Sequence, residues 1–172
     1  DLDVDNFFNG CKDVIYYKDE PYLIPQDPNV MLLYYNPDIA KEAGLDPENP
    51  PKTLDELDQW AEAMTIQKED GTYERFGLIP WLDLKDDAFT LPFFFGADVY
   101  DSETNKLNLT SPEVVSCMEW LQSYGQKYDP ERIQSFTSGL GGMFSPDHAF
   151  MTGKVGMTIT GNWFSKIGRA HV

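Results

Sequence analysis

Apolar residues along this chain fall into short runs punctuated by proline and glycine, and two periodicities alternate. Val30 to Tyr35 is a continuous apolar stretch of strand length, the pattern of a buried strand. Tyr22-Leu23-Ile24-Pro25 reads as a shorter strand that Pro25 ends or places at an edge, because proline has no amide to donate. Residues 1–20 mix Phe7, Phe8, Val14, Ile15, Tyr16 and Tyr17 with acids and give only a weak strand signal. Phe76 to Ile79 and Val155 to Thr160 complete the predicted strands.

Between them lie helices with recognisable ends. Asn36 can cap, Pro37 fits the first helical position and Gly44 can close in the left-handed conformation, which predicts a helix over Pro37 to Ala43. Thr53 and Glu56 have the spacing of a capping box, followed by Leu57, Ala61 and Met64 on one face with Trp60 beside them. Thr110-Ser111-Pro112-Glu113 opens the clearest helix, with Val114, Cys117, Met118, Leu121 and Tyr124 at helical spacing. Shorter helices are predicted over Ala88 to Phe95, closed by Gly96, and over Pro146 to Thr152; the Phe93-Phe94-Phe95 run is expected in the core. Asp70-Gly71 marks a turn, Asp101 to Asn108 a hairpin or loop excursion, and the polar, glycine-rich 129–145 a mobile loop. Strands and helices alternate without an internal repeat, which predicts an α/β layer architecture.

Composition narrows the function classes. In 172 residues, 41% hydrophobic and 14% aromatic content is enough for one domain with a real core. The net charge of −16 leaves no basic stripe to release phosphate counterions, so no nucleic-acid partner is expected. No apolar run approaches the roughly 20 residues of a membrane span. Cys11 and Cys117 have neither metal-ligand spacing nor a disulfide framework, and buried free thiols are the default, with a disulfide between them the minor alternative. The chain opens with Asp1 inside sequence that looks internal, so it reads as a fragment. Ile167 to Val172 resembles the translation of a sequencing adapter and is expected to carry no function.

Four stretches, in order, carry a family resemblance. They are Tyr22 to Pro25 with Leu33 to Asn36; Lys41 to Leu45 with Pro50 to Leu57; Phe93 to Asp101; and Ala149 to Met157 with Gly161-Asn162-Trp163. Together they resemble extracellular solute-binding proteins of the sugar-binding type, the group that includes maltose-binding protein, over about residues 1–166. The resemblance implies a periplasmic-binding-protein type II-like lobe, α/β with a mixed sheet and flanking helices, truncated at both ends. It divides the chain into 1–27, the end of a first lobe and hinge crossing, 28–166, a partial second lobe, and the tail 167–172. The hinge would fall at Pro25, Gln26 and Asp27. Function would be capture of a small carbohydrate or related solute outside the cytoplasm by a monomeric protein, in the periplasm or lipid-anchored on the outer face of the membrane. Delivery would be to the membrane permease of an ATP-binding cassette (ABC) importer, without cofactor or catalysis. In this reading a signal segment would lie outside the fragment. The Gly-rich stretch 138–142 has no counterpart in the resemblance.

A sugar site needs an aromatic platform and hydrogen-bond partners on rigid element ends. Trp163 follows a strand and the pair Gly161-Asn162, and the resemblance implies that it stacks on the sugar; closing the lobe as a core residue is the other role open to it. Asn162 either bonds a hydroxyl or shapes the turn. The interval from Pro25 to Asn36 matches that of the family, and the resemblance implies that Asn29 holds the place of a ligand-contacting acid; a turn after Pro28 is the other role open to it. Trp81 and Asp83 sit at a strand end, where open α/β sheets put ligand contacts. Asp86 and Asp87 match a cleft-lining stretch, although a pair at a helix start also favours the helix dipole. Enzyme chemistry fits poorly. His148 is the one histidine outside the tail, no His/Cys grouping suits zinc, and the Gly139–Gly142 run lacks the lysine of a phosphate-binding loop. A sensor of the same fold and a carbohydrate-active hydrolase with paired carboxylates are the alternatives.

Overall fold

The computed structural model describes residues 3–12, 14–84 and 89–167. The chain divides into two compact units, 1–31 and 32–172.

The first unit holds a 3-10 turn at Val4–Asn6, a short helix α1 (Asn9–Lys12), and a hairpin of β1 (Tyr16–Tyr17) and β2 (Glu20–Pro21). Its two turn residues, Lys18 and Asp19, both have positive φ, the turn geometry whose twist matches that of paired strands. Residues 22–30 form no strand, contrary to the reading of Tyr22 to Pro25. The amides of Tyr22 and Leu23 both converge on the Ile15 carbonyl (2.8 and 3.3 Å), a bulge-like irregularity at the end of the hairpin, and Pro25 and Pro28 have no amides with which to resume a ladder. Tyr22, Leu23 and Ile24 are exposed. Cys11 is half-buried rather than buried.

The second unit is built around β8 (Met157–Gly161), in which all five residues are buried. Burial of consecutive side chains means that both faces of this strand are covered, as in the centre of an α/β sheet. β3 (Met31–Tyr35) pairs with it and is half-buried, less than its apolar run predicts, because the hydroxyls of Tyr34 and Tyr35 reach out to the Gly161 and Pro47 carbonyls. On the other side Phe76 lies parallel to Val155, with the Met157 amide donating to the Gly77 carbonyl at 2.7 Å. A regular strand occupies Tyr73–Arg75 (β5), in an antiparallel hairpin with β4 (Ile66–Gln67) around Asp70-Gly71, rather than Phe76 to Ile79. Residues 76–79 are buried but make a single bridge.

Helix ends follow the sequence closely. α2 (Pro37–Glu42) is capped by Asn36 Oδ1, which accepts from the amides of Asp38 and Ile39, and Gly44 closes it at φ 78°. α3 (Leu54–Met64) has the full Thr53/Glu56 capping box and buries Trp60, Ala61 and Met64. It lies so close to the 76–79 segment that a Cβ at Gly77 would overlap the Ala61 carbonyl. α5 (Pro112–Tyr128) is capped by Ser111 and is locked to α3 through Asp58, which accepts from Trp120 Nε1 (3.0 Å) and the Tyr124 hydroxyl (2.7 Å). Its buried face runs Val114, Cys117, Trp120, Tyr124 and Tyr128, so Met118 is exposed and Trp120 takes the inward position.

Three further expectations are corrected. α4 (Thr90–Phe94) buries Leu91 and Pro92, leaving Phe93 and Phe94 59% and 50% exposed. Successive helical residues point about 100° apart, so three consecutive phenylalanines could not all face one core. Residues 130–137 are not loop but helix α6 (Pro130–Thr137), started by the Asp129 cap and Pro130 and anchored by buried Ile133. Residues 146–152 are turns rather than a helix, since the bridge between Gly141 and His148 ties the backbone sideways. A last helix, α7 (Phe164–Ile167), was not foreseen. The expected hairpin is present as β6 (Tyr100–Asp101) and β7 (Lys106–Leu107).

Candidate functional site

The 76–79 segment runs alongside β8 and then breaks into turns, with the Leu82 amide donating to Ile79 and that of Leu84 to Trp81. These turns present Trp81, Leu82 and Asp83 at the end of the sheet. α6 and the loop 138–144 complete the surroundings. Together they line an open groove of about 830 Å³.

The lining is chemically divided. Trp81, Met143 and Phe144 offer aromatic and apolar surface, with Trp81 half-exposed and Phe144 exposed. Gln134, Thr137 and Ser138, at i, i+3 and i+4 on and just after α6, offer amide and hydroxyl groups. Among the described residues of the lining, the ionisable side chains are Asp83 and His148, which are 4% and 2% exposed. They meet through His148 Nε2 and Asp83 Oδ1 at 2.8 Å. The Phe150 amide donates to His148 Nδ1 at 3.3 Å, which assigns the ring proton to Nε2 and makes it the donor to Asp83. Thr158, on β8, donates to the other carboxylate oxygen at 2.5 Å. The Phe164 ring meets the imidazole edge-on at 5.1 Å. This buried trio joins the groove to the central strand, and both Asp83 oxygens are occupied from within the lobe.

Trp163 is half-exposed, at the turn between β8 and α7. Its six-membered ring lies flush on Gly161, where any Cβ would overlap it, and its Nε1–H donates to Met143 Sδ at 3.5 Å. It therefore meets the groove through Met143. Asn162 is exposed, and its carbonyl accepts from the Ser165 hydroxyl. Asn29, Gln26 and Asp27 are exposed and Pro25 half-buried, all in the first unit and outside regular structure. Asp86 and Asp87 lie outside the described residues. Sequence reasoning singled out Trp81 and Asp83 but missed Met143, Phe144, Gln134, Thr137 and Ser138. The signal for α6 was present in Asp129-Pro130-Glu131, a cap, a proline and an acid in the order that starts a helix. Met143 and Phe144 had no comparable signal.

A comparison with protein families matches residues 3–165 to the bacterial extracellular solute-binding protein model. The chain belongs to this family. The sn-glycerol-3-phosphate-binding periplasmic protein UgpB of Escherichia coli K12 is 33% identical over 107 residues, 61% of this chain and 24% of that protein. Among solved structures, CpMnBP1 with mannobiose bound is 34% identical with a TM-score of 0.87, covering 98% of this chain and 42% of that one. The sugar-binding protein MalE of Xanthomonas citri, at 19% identity and TM-score 0.68 over 98% of this chain and 40% of its own, shares the fold. The expected α/β lobe of the type II binding-protein kind is thus borne out. The chain spans about a quarter of that curated relative's length and about two-fifths of those solved chains.

Proposed function

We propose that this family member captures a neutral carbohydrate outside the cytoplasm for delivery to an ABC importer, by reversible binding without catalysis. The observation that carries the reading is the groove beside Trp81, where aromatic surface and uncharged hydrogen-bonding groups line the same space. Pyranose rings present apolar C–H faces and a rim of hydroxyls, and this lining is complementary to both. Likeness to CpMnBP1, solved with mannobiose and with mannotriose, supports a mannose-type oligosaccharide as the ligand class. Trp163 and Asn162 extend the site in this reading, with Trp81 as the exposed platform. Asp83 shapes the groove floor rather than receiving a hydroxyl, since its side chain is buried and each oxygen already accepts from within, from His148 and Thr158. By the family resemblance Asn29, Asp86 and Asp87 would be ligand contacts of the whole protein, and the chain around Pro25, Gln26 and Asp27 would be the crossing between lobes. Closure of two lobes would bury the ligand and offer the closed form to the permease.

A second reading follows from the likeness to the glycerol-3-phosphate-binding protein. A phosphate needs cationic or multiple amide donors, and no lysine or arginine is among the described residues lining the groove. The neutral sugar is therefore favoured. A thermal-shift panel of mannobiose, mannotriose, maltose and glycerol 3-phosphate separates the two. Stabilisation by a mannose oligosaccharide alone supports the proposal, and stabilisation by glycerol 3-phosphate alone overturns it.

A further inference from the structure

The loop 138–144 has a role that its glycine content conceals. Within it Met143 is half-buried, lines the groove and places its sulfur against two side chains of the neighbouring strand end. Trp163 Nε1–H donates to that sulfur at 3.5 Å, and the Thr160 hydroxyl approaches it at 4.0 Å. On its other side the Trp163 ring has no freedom toward the backbone, because Gly161 lies flush beneath it. The indole is thus held at two points, one made of backbone and one made of a methionine sulfur. Only the second can be altered without moving the strand.

We infer that Met143 is a positioning residue for sugar capture. Its thioether favours one rotation of the Trp163 indole and so biases the angle at which that ring meets a ligand. The inference rests on the carbohydrate reading proposed above. A thioether is a weak acceptor, and an unbranched side chain adapts its shape readily. The contact therefore selects one indole orientation over others without locking it. This suits a ring that must accommodate ligands of different length. Contacts of sulfur with aromatic groups have energies that correspond to about two- to tenfold in an equilibrium constant, and the effect of losing this one on sugar affinity falls in that range.

The test compares Met143→Leu, close in volume but without an acceptor, with Met143→Gln, unbranched and with an acceptor oxygen. Two readouts are taken on the same samples: the Trp163 indole N–H resonance, assigned by its loss in Trp163→Phe, and mannobiose affinity by calorimetry. The expected result is a shifted indole resonance and affinity about two- to tenfold weaker in Met143→Leu, with Met143→Gln recovering affinity to within about twofold of the parent. An indole resonance that does not move in Met143→Leu overturns the inference, as does a moved resonance with unchanged affinity. If the parent protein itself takes up no mannobiose, the carbohydrate reading fails and the inference falls with it. That case is recognised because the parent, and not only the variant, is silent. Should Met143→Leu not fold, Met143→Gln decides alone, and affinity weakened by more than about tenfold with an acceptor present overturns the positioning role.

Discussion

Removing His148 or Thr158 probes whether the buried carboxylate of Asp83 depends on the hydrogen bonds from its two neighbours. The side chains of Asp83 and His148 are 4% and 2% exposed, so water cannot replace a lost partner without opening the groove floor. His148→Leu removes the donor at 2.8 Å, a hydrogen bond to a charged acceptor worth about 1.5–3 kcal/mol, and with it the imidazole that packs edge-on against Phe164. Thr158→Val is nearly isosteric and removes a single hydrogen bond to a charged acceptor, about 1.5–3 kcal/mol. The order of the two is thus fixed by the structure, with the histidine change the more damaging. The two changes also share one partner and cannot add: the double variant should depart from the sum by about 0.5 kcal/mol or more. Urea denaturation, with midpoint and slope measured for the parent, both single variants and the double, gives all four numbers. Losses below about 0.5 kcal/mol for both single changes, or strict additivity, would refute this account of the Asp83 hydrogen bonds.

Two further outcomes follow from the α3–α5 contact. Asp58→Ala strips the partner from both Trp120 Nε1 and the Tyr124 hydroxyl and should lower stability by about 2–3 kcal/mol in the same assay. Burial, aided by the hydrogen bond to Asp58, holds the Tyr124 hydroxyl well above its ordinary value of 10.0. The unfolded chain therefore releases this proton first, so the Tyr124 contribution is complete below pH 10 and is lost as pH rises beyond it. Ultraviolet titration should show Tyr124 ionising only as the protein unfolds, and its ionisation in the folded state would contradict this. Burial also raises the Cys117 thiol, whereas Cys11 is half-buried. Iodoacetamide followed by mass spectrometry at pH 8 should modify Cys11 first and reach Cys117 only in denaturant.

Much of this fold could be read from local chemistry. Asn36-Pro37, Thr53 with Glu56, and Ser111-Pro112 each start a helix where they stand, because cap and first turn satisfy one another within a few residues. What stayed hidden depends on distant partners. Residues 146–152 look helical in isolation and are turned aside by the bridge from Gly141 to His148. Tyr22 to Pro25 has strand composition but directs two amides to one carbonyl. Phe93 and Phe94 look like core because they are aromatic, yet a five-residue helix buries only the side that Leu91 and Pro92 already occupy. At the site, Trp81 and Asp83 were visible from their place after a predicted strand. The contributions of α6 and Met143 were not, because the glycines around 139–142 made the whole stretch read as mobile.

The central claim is that Trp81 forms the wall on which a neutral sugar rests. Calorimetric titration of the parent protein and of Trp81→Ala with mannobiose tests it directly. The account predicts saturable binding by the parent and a loss of roughly tenfold or more in the variant, the scale of removing an aromatic anchor. Equal affinity in the two proteins would contradict it.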